Sequence, residues 1–122
     1  MHRRLALIPA LLAAVVGAAV VAQAAGAGQA ATPMKVTVTM TDFKFKLSKT
    51  SVPSGRPIVF TVINRGASPH DFDLTGTRGT PIIQPGRRTT QRVTFRRAAS
   101  VRYVCTVPRH AQFGMVGRLK VT

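Results

Sequence analysis

Acidic residues are almost missing from this chain: it carries three aspartates and no glutamate. A paired-carboxylate glycosidase has little to build on, because Asp71 and Asp73 fall on one strand face and are expected only to solvate it, with Asp42 the one other acid. Cysteine is equally scarce. Cys105 stands alone, so no internal disulfide can form, and it must be a buried free thiol, an intermolecular partner or a metal ligand. A cysteine nucleophile working with His110 lacks an orienting third group and an oxyanion site. No glycine motif of the phosphate-cradling kind occurs. Tryptophan is absent, and no segment after the N-terminal region sustains a helical period.

What is present begins with Met1-His2-Arg3-Arg4, an apolar run from Leu5 to Ala22 and the small-x-small motif Ala22-Gln23-Ala24. Residues 1–24 are read as a cleavable export signal. The run is at the lower edge of what spans a bilayer, so an uncleaved anchor is the competing reading, and Arg3-Arg4 is a weak twin-arginine signal. Residues 25–34 form a small-residue spacer. One domain is expected over 35–122, exported to the periplasm or beyond the cell.

Positive charge dominates. Eighteen Lys and Arg oppose the three acids, and once Arg3 and Arg4 leave with the signal a formal +13 remains. The partner is expected to be acidic, either an anionic redox protein or an anionic envelope surface, met through long-range steering. Nucleic acid is disfavoured, because the arginines are scattered with few aromatics between them and the chain is exported. Membrane contact is expected only peripherally or through an uncleaved N-terminus, and the domain is expected to be a monomer.

The remainder alternates like a β protein. Val36, Val38 and Met40 point one way against Lys35, Thr37 and Thr39, and Phe43, Phe45 and Leu47 do so against Lys44 and Lys46. Ile58 to Ile63 suits a central strand. His70, Phe72 and Leu74 share a face opposite the two aspartates. Further strands are expected over Thr89–Phe95, Ser100–Cys105 and Val116–Val121, with a short edge element at Pro81-Ile82-Ile83 and turns at Pro53-Ser54-Gly55 and Pro85-Gly86. The turn spacing is that of an antiparallel sandwich, all-β, with seven or eight strands in two sheets.

Two distant stretches carry the chemistry. N-R-G-A-S-P-H-D-F supplies His70, and Y-V-C-T-V-P-R-H-A-Q-F-G-M supplies Cys105, His110 and Met115. Singly, each has a structural explanation: a buried small hydrophobe, a satisfied histidine, a space-filling methionine. Together they are the domain's only cysteine and only two histidines with a regularly spaced methionine, and one thiolate, two imidazoles and one thioether specify copper. Zinc is disfavoured because thioether is a poor zinc ligand and no base stands by for hydrolysis.

These segments resemble the cupredoxin family of small blue copper proteins, the plastocyanin, azurin and pseudoazurin group, over about Val36 to Val121. The resemblance implies a Greek-key β-sandwich holding one type 1 copper. By the same match His70 is the first ligand, Cys105 the thiolate and electron exit, His110 the outer imidazole and Met115 the axial ligand. Two positions depart from the usual pattern: Arg109 stands where many members have glycine, beside the expected electron port, and Asp71 stands where many have asparagine. Its carboxylate accepts hydrogen bonds but does not donate them, leaving the usual tie between the ligand segments open. The expected function is single-electron transfer without catalysis, since an oxidase needs further ligands for a second copper centre. Copper storage or delivery by the same fold is the alternative, followed by a metal-free sandwich adhering to acidic envelope polymers.

Overall fold

The computed structural model describes residues 17–20 and 31–122. The expected signal and spacer therefore lie outside the described residues except at 17–20 and 31–34. Eight strands follow: β1 (Met34–Thr41), β2 (Lys44–Leu47), β3 (Ser51–Val52), β4 (Pro57–Asn64), β5 (Asp73–Leu74), β6 (Arg88–Thr94), β7 (Ala99–Val104) and β8 (Val116–Val121). They form two four-stranded sheets in the orders β2-β1-β4-β6 and β3-β8-β7-β5. No helix occurs among the described residues.

The two-residue side-chain period puts the predicted positions inside. Val36, Val38 and Met40 of β1 lie beside Ile58, Phe60 and Val62 of β4 on the inner face of one sheet, and across the sandwich lie Phe72, Leu74, Tyr103, Leu119 and Val121, all buried. The sheets are mixed, which the antiparallel expectation missed. β1 pairs with β4 in parallel, and β3 with β8 in parallel. The reason is a crossover: after the β1–β2 hairpin the chain leaves to add β3 to the second sheet, then returns to lay β4 beside β1. Parallel neighbours need such a connection, because a tight turn only joins antiparallel ones.

Three local expectations change. Only Asp73–Leu74 of the His70–Leu74 stretch forms a regular strand; His70 instead makes an isolated bridge to Ile83. Asp71, expected on the solvated face, is 5% exposed. Phe43 leaves the inward row of Phe45 and Leu47 because β1 and β2 turn through only Asp42 and Phe43, and Phe43 takes a φ of 66° there. That left-handed conformation costs a non-glycine residue roughly 1–2 kcal/mol.

Glycine at 117 is required by space. It pairs across the ladder with Tyr103, whose ring lies directly over it, and Tyr103 is itself packed against Phe45 and Phe72, each with centroids 5.4 Å away. The ring has nowhere to go. Gly117→Ala is expected to cost about 2 kcal/mol through overpacking, read as a lower thermal midpoint.

Candidate metal centre

The β7–β8 hairpin brings three of the four predicted ligands to one end of the sandwich. Cys105 follows β7 directly and Met115 immediately precedes β8; the Cys105 N–H donates to the Met115 carbonyl at 3.1 Å, and the Met115 N–H donates to the His110 carbonyl at 3.0 Å. Between them the chain winds through tight turns, with the His110 amide on the Val107 carbonyl and the Gly114 amide on the Ala111 carbonyl, each at 3.1 Å. Two residues here take positive φ, Gly114 at 106° and Arg109 at 72°. Arg109 thus occupies a backbone conformation that suits glycine, the residue many resembling proteins have at this position.

His70 arrives from the loop after β4, which Asn64 holds in shape. Wholly buried, Asn64 donates from Nδ2 to the carbonyls of Ser68 and Ile83 and accepts the Gly66 amide on Oδ1, all at 2.8 Å. The His70 backbone exchanges two hydrogen bonds with Ile83, at 3.2 and 2.7 Å. Asp71, next in sequence, accepts the Thr106 amide at 2.6 Å and the Thr106 hydroxyl as well. The tie between the ligand segments therefore exists, with the donors on the Thr106 side and a carboxylate accepting both. Acceptance is also what takes Asp71 out of solvent, contrary to its expected surface role.

The donor atoms converge. His70 Nδ1 lies 3.0 Å from His110 Nδ1, and Cys105 Sγ lies 3.9 Å from the first and 3.6 Å from the second. A first-row ion bonded to nitrogen at about 2.0 Å and to sulfur at about 2.3 Å fits a triangle of that size. His70, Cys105 and Met115 are buried, whereas His110 is half-exposed. All four predicted ligands thus gather at one end, and the arrangement is that of a type 1 copper site. Burial pushes the Cys105 thiol above its ordinary pKa, so a metal must displace its proton.

Sequence reasoning missed Asp42, Phe43 and Phe113 around these ligands. Asp42 Oδ1 lies 2.9 Å from His70 Nε2, and the Asp42 carboxylate also accepts the Ala67 and Ser68 amides. The His70 contact and those two amides hold its carboxyl below the usual value. Phe43 sets its ring edge-on to His110, with centroids 5.2 Å apart, and touches Phe113, which is 61% exposed. An apolar collar therefore borders His110 despite Arg109 nearby. The one sequence signal for these neighbours was that a scarce acid sits in a two-residue turn.

Comparison with known proteins agrees with this geometry. A family model of the cupredoxin-like domain matches residues 10–116. No curated protein matches the chain by sequence. Auracyanin from the photosynthetic bacterium Roseiflexus castenholzii is 19% identical, with 76% of this chain and 98% of that one covered at a TM-score of 0.63. Rusticyanin from Thiobacillus ferrooxidans is 22% identical, with 74% and 77% covered and a TM-score of 0.61. A blue copper oxidase from Nitrosomonas europaea is 20% identical, with 74% of this chain but 39% of the oxidase covered, at 0.61. At such identities the likeness is one of fold.

Proposed function

Because the chain belongs to the cupredoxin-like family, we propose that it is an exported type 1 copper protein that carries single electrons between redox partners of the cell envelope. The observation that carries this reading is the triangle of His70 Nδ1, His110 Nδ1 and Cys105 Sγ. Copper held there by these atoms and Met115 would supply a one-electron couple that a thiolate, imidazole and thioether set supports in both oxidation states.

The chain's own residues do the rest. Asn64 and the Asp71–Thr106 tie fix the two ligand segments relative to one another, so the donors keep their spacing. His70, Cys105 and Met115 are shut away from water, which leaves His110, with Nδ1 turned inward, as the ligand that reaches the surface beside Phe43. That edge is the proposed electron port. None of the lysines and arginines among the described residues pairs with a carboxylate, so no contact ion pair offsets the field they present to an acidic partner. Steering of this kind weakens with salt, since the Debye length is about 8 Å at physiological ionic strength. The export signal read in residues 1–24 supports an envelope location.

The test is a visible spectrum of the purified protein loaded with Cu(II), then reduced with ascorbate and reoxidised. An intense blue thiolate-to-copper band that bleaches and returns is expected. A colourless protein at full copper occupancy would move the function to copper storage or delivery.

A further inference from the structure

The β1–β2 turn is built in an uncommon way, and its two residues meet the two histidines separately. Two-residue hairpins favour Asn-Gly or Asp-Gly, whose backbones suit positive φ. Here the second position is Phe43, at φ 66°, and the resulting turn aims Asp42 at His70 while Phe43 packs against His110. A strained residue held next to a ligand cluster is grounds for seeking a role.

Glycine at 66 offers an independent observation. Gly66 has no positive φ, so its backbone does not demand glycine. Space does: a Cβ built there would lie 2.6 Å from Asp42 Oδ1 and 3.0 Å from His70 Nε2. Any side chain would wedge into the Asp42–His70 contact.

Resting on the copper reading above, we propose that Asp42 is a positioning residue for the metal. As an acceptor, its carboxylate fixes His70 as the Nε2–H tautomer and leaves Nδ1 bare toward Cys105 and His110. In the metal-free protein His110 then donates from Nδ1 to His70 Nδ1 across their 3.0 Å contact. A carboxylate behind a ligating imidazole orients the ring and raises its basicity. Its negative charge also favours the more highly charged oxidation state, so Asp42 holds the reduction potential down.

Asp42→Asn isolates the charge, because an amide oxygen still accepts from Nε2 and from the loop amides. The affinity for Cu(II) relative to Cu(I) is expected to fall about tenfold, a rise in potential of about 59 mV for one electron. Gly66→Ala is expected to shift the potential the same way although the carboxylate remains, and Asp73→Asn, which removes an equal charge away from His70, is expected to shift it much less. In the metal-free protein, the imidazole nitrogen-15 shifts of His70 are expected to report the Nε2–H form, and to lose that preference in Asp42→Ala. A His70 found as Nδ1–H, or a potential that moves no further in Asp42→Asn than in Asp73→Asn, overturns the proposal; a lowered melting temperature alone would reduce Asp42 to a loop cap. The tautomer measurement needs no metal, so its failure is distinguishable from failure of the copper reading.

Discussion

Cys105→Ser is expected to abolish the blue band while leaving the sandwich folded. The thiolate is the one soft anionic donor in the cluster, and a serine hydroxyl does not ionise to take its place. Serine is nearly the same shape, so the cost in stability is that of burying a hydroxyl at a site 1% exposed, about 1–3 kcal/mol. Circular dichroism separates the two effects. The same residue sets a pH dependence in the native protein. Burial raises the thiol pKa, so throughout the neutral range metal uptake releases a proton, and the apparent affinity is expected to weaken about tenfold for each pH unit downward. A chelator competition between pH 6 and 8 checks the slope. In the metal-free protein the sign reverses for stability: the unfolded chain ionises its thiol at the ordinary value, before the folded one does. The folded state therefore loses ground as pH rises from the unfolded thiol's ordinary pKa toward the raised folded one.

Asp71→Ala is expected to be the most destabilising change near the site. It strands the Thr106 amide and hydroxyl, and it unfastens the ligand hairpin from the His70 segment. Hydrogen bonds to a charged acceptor contribute about 1.5–3 kcal/mol each. Allowing for partial rescue by water at the exposed Thr106, the loss is expected at about 3 kcal/mol, or roughly 15 °C in a domain of this size. Asp71→Asn keeps one acceptor oxygen and is expected to recover part of it. If calorimetry finds Asp71→Ala within a degree or two of the native protein, the tie is not what joins the two segments.

These changes fall at positions of unequal visibility in the sequence. The strands were legible because burial follows a period of two, so Val36, Val38 and Met40 announce both a strand and its inner face. The candidate ligands were legible because the domain holds one cysteine and two histidines, and because Cys105, His110 and Met115 follow one another at regular spacing in one hairpin. The parallel pairings were not, since β1 and β4 read identically whichever way they run side by side. Asp42 was hidden for a different reason: it meets His70 across 28 positions of sequence, and nothing local to either residue encodes that contact. Asp71 was misplaced because alternation predicts which way a side chain points from a strand, and at 71 the chain has not yet become one. A buried acceptor is defined by its donor, and Thr106 lies in another segment.

Two of the three aspartates are engaged within the fold, Asp42 against His70 and Asp71 against Thr106, and Asp73 is half-buried. Exposed charge thus comes almost entirely from lysine and arginine. Solvent anions, rather than internal ion pairs, consequently offset most of the protein's charge. Its retention on a cation exchanger is expected to fall steeply as salt rises, in step with any encounter rate that depends on the same field.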